Sequence, residues 1–296
     1  MLFASIDIGT NAMRLLFSDV HIRDGIAIAE KASLIRIPIR LGDDVFKLNR
    51  ISDTKTEELL QTMLAFKLLI DVFKPVTSQA CATAAMREAD NRDAVVEKIR
   101  NKTGIEVKII SGLEEAEIIS LAETLDVKKY HRYKMYVDVG GGSTEISLLE
   151  DHKIIESRSF KIGTIRYLND KVDESEWKSM KQWLKGFKSD FDKLYLIGSG
   201  GNINKLAKLY GKKVVNTICF KEIEDAFHHL NQYSVEERID KLGLRRDRAD
   251  VIVPAAKIFI KIMKLVKADF VYVPKIGLAD GLIYKMYYEY VKTHTI

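Results

Sequence analysis

Three consecutive glycines, Gly140-Gly141-Gly142, followed by Ser143 and Thr144, lie between two carboxylates, Asp138 and Glu145. Glycine lets a backbone approach a ligand closely and aim several N–H groups at one point, an arrangement that suits phosphate oxygens. Carboxylates at the ends of the two adjoining strands could hold a hydrated magnesium ion beside such a phosphate. A sparser copy of the device stands near the N-terminus, where Asp7, Gly9, Asn11 and Arg14 follow one another. A third cluster, Gly198-Ser199-Gly200-Gly201-Asn202, ends an apolar run and opens a helical one, where orphan amide donors and the helix dipole favour anions. Each motif also has a bland reading: an ordinary turn, two solvated strand-end acids, or a strand-helix connection that needs flexible glycines. The triple glycine leads into a strand and lacks the Walker lysine, so neither a P-loop nor a dinucleotide-binding turn is indicated.

Hydrophobic periodicity supplies the elements that would carry these residues. Strands are expected at 2–8, 12–20 and 26–39, with Gly9 and Asp24-Gly25 at the turns. Ser52 caps an amphipathic helix to about Phe73, a strand follows at 76–82, Asn91 caps a helix to about Lys102, and 105–110 is a further strand. The segment 112–124 opens on acidic residues, as a helix N-terminus prefers. The polar stretch Asp126 to Tyr133 marks a domain boundary. The order then repeats: strands at 134–139, 144–150 and 153–160 with a turn at Asp151-His152, then strands at 193–197 and 270–273 among helices at 174–189, 201–210, 221–232, 247–267 and from about Leu278. Ala4 to Asn11 and Met135 to Ser143 share one plan, an apolar strand ending in Asp, one apolar residue, a Gly and a small polar residue, repeated about 131 residues apart.

The chain of 296 residues is long enough for two domains, taken as 1–125 and 126–296, with the final helix free to pack back on the first. Composition is that of an ordinary globular protein, 47% apolar and 30% charged, without a run long enough to span a bilayer or a signal-peptide core, so a cytoplasmic location is expected. Cys81 and Cys219 lie in apolar surroundings away from other ligand residues and read as two reduced, buried thiols. Residues 1–125 carry 16 basic and 19 acidic side chains, and residues 126–296 carry 31 and 23, a split of −3 against +8. A basic half can draw in a polyanion, although lysines scattered over solvated helix faces would give the same sum.

Paired Asp-Gly hairpins in duplicated halves are the plan of the actin-like, sugar-kinase and heat-shock ATPase superfamily. Within it, Ser111-Gly112-Leu113-Glu114-Glu115-Ala116-Glu117 together with Val137 to Glu145 resembles the exopolyphosphatase and guanosine pentaphosphate phosphatase family. Asp7 to Asn11, Ala82 to Ala89, Ile162 to Arg166, Gly198 to Gly201 and Gly277 to Leu282 extend the resemblance along most of the chain. The fold implied is α/β, two actin-like (ribonuclease H-like) domains with mixed sheets flanked by helices. The resemblance implies a cytoplasmic phosphoanhydride hydrolase of polyphosphate or guanosine pentaphosphate that works with magnesium or another divalent cation. It makes Glu115 the base that activates water and Asp138 and Glu145 the acids that hold metal or orient that water. Asp7 becomes a second metal ligand, and Gly140, Gly142, Ser143, Gly9, Asn11, Arg87 and Gly200 become phosphate contacts.

Glu114 and Glu117 could equally be helix-start charges, and nothing in the residues themselves selects Glu115 over them. The sequence departs from the family pattern at Asn202 and Pro274, and it reads as a short form without the C-terminal helical domain, which favours short substrates. An actin-like kinase or ATPase, or a sensor that binds polyphosphate or guanosine pentaphosphate without turnover, are the alternatives. Neither nucleic acid nor membrane is an expected partner, and a homodimer is allowed. Catalysis is expected in a cleft between halves that close about the 126–133 connection.

Overall fold

In a computed structural model of the chain, which describes residues 1–122, 132–150, 153–187, 194–212 and 216–294, two compact units form. One is Met1–Ala122 with Gly277–Ile296, and the other is Glu123–Ile276. The expected boundary segment lies for the most part outside the described residues, as do the Asp151-His152 turn and the start of the strand expected at 193–197.

The first unit is built on β1 (Leu2–Ile8), a strand with six of its seven residues buried, as a central strand covered on both faces requires. It pairs antiparallel with β2 (Met13–Arg23), which pairs antiparallel with β3 (Ile26–Ile37) across the Asp24-Gly25 turn. Both turn residues have positive φ, 51° and 75°, the twist that a two-residue hairpin needs. After α1 (Leu41–Leu48) and α2 (Asp53–Phe73), the latter capped by Ser52, β4 (Thr77–Ala82) adds parallel to β1. The short α3 (Ala84–Glu88) and α4 (Arg92–Thr103) precede β5 (Val107–Ile109), giving the order β3-β2-β1-β4-β5. Then comes α5 (Gly112–Ser120), whose N-cap Ser111 accepts a hydrogen bond from the Glu114 amide at 3.1 Å.

The second unit repeats this plan. Strands β6 (Tyr133–Val139), β7 (Thr144–Glu150) and β8 (Lys153–Phe160) form the antiparallel meander, followed by α6 (Thr164–Leu168) and α7 (Glu174–Gly186). Strand β9 (Tyr195–Ser199) adds parallel to β6, and α8 (Gly201–Tyr210) follows it. Strand β10 (Thr217–Cys219) leads to helices α9 (Phe220–Asn231), α10 (Val235–Asp240), α11 (Arg246–Ala249) and α12 (Ile252–Val266), and β11 (Phe270–Tyr272) completes the order β10-β11-β9-β6-β7-β8. Met135, Val137 and Val139 of β6 share a core with Phe259 and Ile262 of α12, and emptying the Phe259 site would cost about 3–5 kcal/mol.

The last helix, α13 (Leu278–His294), belongs to the first unit. Its Ala279, Ile283, Met286 and Tyr287 pack on Phe3, Leu16 and Val20. A Cβ on Gly281 would stand 2.0 Å from the Ile118 carbonyl oxygen, so this glycine is what lets α13 lie close against α5. The Gly277 to Leu282 motif therefore acts through packing, on the helix that carries Glu115.

Several boundaries differ from the sequence expectation. The helix expected at 247–267 is two helices, and α1, α3, α6, α10 and β10 were not foreseen. Cys81 is buried, whereas Cys219 is half-buried and caps α9 by accepting from the Glu222 amide.

Candidate functional site

In the second unit, β6 and β7 set Asp138 directly opposite Glu145, so both side chains rise from the same face of the sheet. Glu145 is buried, and its Oε1 accepts from the Ser143 hydroxyl at 2.6 Å and from the Ser159 hydroxyl, one strand over, at 2.8 Å. Two donors on one oxygen fix the position of the carboxylate. Asp138 is half-buried at the end of its strand. Its Oδ1 lies 2.8 Å from where a Cβ on Gly200 would be, and Gly200 itself sits at φ +100°. Any other residue there would be strained and would press on Asp138. Gly200 thus shapes the surroundings of Asp138 as it opens α8.

Between the two acids, the glycine tip is held by the segment that follows β8. The amide of Gly140 closes the turn onto the Ser143 carbonyl at 2.9 Å, so Gly140 does not offer the phosphate contact expected of it. The tip carbonyls are tied down in turn. Gly140 O accepts from the Thr164 amide at 3.0 Å, Gly141 O from the amides of Ile165 and Arg166 at 2.8 and 3.1 Å, and Gly142 O from the Arg166 Nε–H at 2.8 Å. In a trans peptide the N–H points opposite to the C=O of the same plane. Pinning these three carbonyls toward α6 therefore turns the amides of Gly141, Gly142 and Ser143 to the other side, as a row of donors. Gly163 makes the contact possible, because a Cβ there would lie 2.3 Å from the Gly142 carbonyl carbon. The row so formed contains Gly142 and Ser143, both expected as phosphate contacts, and Gly141 in place of Gly140.

The first unit shows the same construction. The Gly9 amide closes its turn onto Ala12 O at 3.2 Å, so Gly9 too serves the turn and is not a donor. The Thr10 and Asn11 carbonyls accept from the amides of Gly42 and Arg40 at 3.0 and 3.1 Å, which aims the Asn11 and Ala12 amides the other way. Asp7 is buried and stands opposite Arg14, whose Nη1 pairs with its Oδ2. An acid already neutralised by arginine has one oxygen fewer for a metal than the sequence reading assumed.

Further along this unit, Arg87 donates through Nη1 to the Ile110 carbonyl at 2.7 Å, just ahead of the turn into α5. The three acids of that turn differ sharply. Glu114 pairs with Lys108, whose ammonium holds its carboxyl below the usual range, and Glu117 is exposed. Glu115 is buried, 8% exposed, with its amide bonded to Ser111 O at 2.9 Å. Burial thus sets Glu115 apart from Glu114 and Glu117, where residue type alone could not.

Among the described residues, no three His, Cys, Asp or Glu side chains gather into a metal cage. None of the described helices is long and apolar enough to cross a membrane. Sequence reasoning missed Ser159, whose signal is its cross-strand position opposite Glu145, and it gave the Ile162 to Arg166 motif no physical task.

Duplicated mixed sheets of this topology, each with an Asp-Gly hairpin at its centre, define a two-domain actin-like α/β protein. The chain belongs to the Ppx/GppA phosphatase family, whose model it matches over residues 32–289. It is 29% identical to a bifunctional 3-dehydroquinate synthase/phosphatase of Fusobacterium nucleatum, over 91% of this chain but only 44% of that protein. It is 22% identical to exopolyphosphatase 1 of Mycobacterium tuberculosis, over 94% of this chain and 86% of that one. The crystal structure of the Aquifex aeolicus member of the Ppx/GppA family superposes with a TM-score of 0.76 at 28% identity, covering 98% of both chains.

Proposed function

We propose that the protein hydrolyses terminal phosphoanhydride bonds of inorganic polyphosphate, of guanosine pentaphosphate, or of both, releasing phosphate. The observation that carries this reading is the pinned glycine tip, three amides turned to one side next to the opposed carboxylates Asp138 and Glu145. A phosphoryl group in transfer spreads negative charge over its oxygens, so catalysis is mainly positioning and charge neutralisation. In this reading the amides of Gly141, Gly142 and Ser143 bind the terminal phosphoryl oxygens, and Asn11 and Arg87 act as further phosphate contacts. Glu115 takes a proton from the water that attacks the terminal phosphorus, the bond to the bridging oxygen breaks, and the shortened chain leaves with that oxygen. Glu145, held by two serine hydroxyls, orients the water.

Magnesium fits these residues in one particular way. With no three-carboxylate cage among the described residues, the ion would be held by Asp138, water and the substrate's own oxygens, which is the usual manner of magnesium in phosphate sites. Its charge would neutralise the phosphate chain. The second unit, with 29 basic and 22 acidic residues against 18 and 20 in the first, would attract the polyanion.

Glu115→Gln tests the assignment of the base, since it keeps the shape of the side chain and removes its basicity. Turnover should fall on the order of 10²- to 10⁴-fold, the usual worth of a positioned base, while tripolyphosphate binding stays within a few-fold. Near wild-type phosphate release from this variant would move the role elsewhere.

A further inference from the structure

Among the described residues, the hydrogen bonds that pin the carbonyls of the glycine tip come from backbone amides with one exception. Thr164, Ile165 and Arg166 use their main-chain N–H groups on Gly140 and Gly141, whereas Gly142 O is held by the Nε–H of the Arg166 side chain. In the first unit the corresponding carbonyl, that of Asn11, is held by the Arg40 amide. The second unit has thus handed to a side chain a task that the first gives to the main chain. Arg166 is 7% exposed, on a five-residue helix directly behind the tip, with its Nε donor 2.8 Å from the carbonyl it holds. The peptide plane it fixes carries the Ser143 amide on its far side. Ser143 is also the residue whose hydroxyl donates to Glu145, so the orientation of this plane bears on both the donor row and the water-orienting acid.

We propose that Arg166 is a positioning residue for phosphoryl hydrolysis, acting through the Nε–H bond to the Gly142 carbonyl that aims the Ser143 amide at the phosphate. This rests on the functional reading given above. The guanidinium does not touch substrate in this account. Its contribution is the pose of one peptide plane, and losing that pose should weaken transition-state contacts more than ground-state binding.

The test compares Arg166→Gln with Arg166→Met. Glutamine carries its amide nitrogen on Cδ, where arginine carries Nε, so it can keep the donor, whereas methionine follows the same path without one. The charged end is lost equally in both, so the difference between them isolates the Nε–H bond. Arg166→Met should lose about 10- to 100-fold in kcat with KM changed only a few-fold, the size expected when one oxyanion donor is misaligned by a fraction of an ångström to about 1 Å. Arg166→Gln should recover most of that loss. In protein labelled with ¹⁵N at glycine and serine, added tripolyphosphate should shift the Gly142 and Ser143 amides of the wild type. In Arg166→Met only the Ser143 response should vanish, because the Arg166 main-chain amide still holds Gly141.

Equal impairment of the two variants, or joint loss of the Gly142 and Ser143 responses, would overturn the proposal and leave Arg166 as general scaffolding. If the wild type released phosphate from no substrate, the functional reading would fail, while the amide shifts would still decide whether Arg166 sets the Ser143 plane.

Discussion

Gly163→Ala gives the sharpest structural perturbation of the site, because it adds one methyl group at a backbone conformation any residue can adopt, φ −134° and ψ 162°. The new Cβ would meet the Gly142 carbonyl carbon at 2.3 Å and the Gly141 oxygen at 2.4 Å, where ordinary contact begins at about 3.4 Å. Backbone lies on both sides, so relief requires the tip and α6 to separate by about 1 Å. The three amide bonds that pin the tip, 2.8 to 3.1 Å long, would then lengthen to nearly 4 Å and cease to count as hydrogen bonds. A displacement of this size in a binding element costs about 10²-fold in rate, and overpacking costs about 1–3 kcal/mol of stability. The assay is kcat/KM for phosphate release, read beside a denaturant melt. Gly186→Ala is the matched control, since nothing lies within 4 Å of its added Cβ. Activity of Gly163→Ala within about threefold of the wild type would refute the pinned-tip argument.

Asp138→Asn should raise the magnesium concentration needed for half-maximal phosphate release by tenfold or more, with partial rescue by excess metal, and an unchanged metal titration would remove Asp138 from that role. Burial pushes the Cys81 thiol up to about 11, so at pH 7.5 it should react with iodoacetamide at least about 100-fold more slowly than a free cysteine of pKa about 8.5. Because that pKa is raised in the folded state, its contribution to stability is complete below about pH 8.5 and is lost as pH rises toward about 11. Denaturant melts between those pH values should therefore show stability falling more steeply for the wild type than for Cys81→Ala.

The duplicated Asp-Gly hairpins could be read from sequence because each couples a buried apolar strand to a turn residue, a signal that survives without tertiary information. The cap at Ser52 was legible for the same reason, whereas Asn91, expected to cap its helix, stands at the N-cap position without a side-chain capping bond. What stayed hidden was peptide orientation. Gly9 and Gly140 looked like phosphate donors by residue type, yet their amides close their own turns, and only the hydrogen bonds of the tip reveal this. The five-residue α6 is too short to register as a periodic pattern, so its grip on the tip could not be foreseen. Glu115 was separable from Glu114 and Glu117 only once the fold showed that it alone of the three is buried. The division of the helix expected at 247–267 did have a signal, since Pro254 fits the first turn of a helix and not its interior.

Phosphate release measured in parallel from short polyphosphate, long polyphosphate, guanosine pentaphosphate and ATP, with magnesium present, is the measurement on which the hydrolase reading depends. Release is expected from polyphosphate, guanosine pentaphosphate or both, with ATP a poor substrate, and it should be lost on Glu115→Gln. Release from ATP alone, or tight binding of polyphosphate and guanosine pentaphosphate with no phosphate released from either, would contradict it.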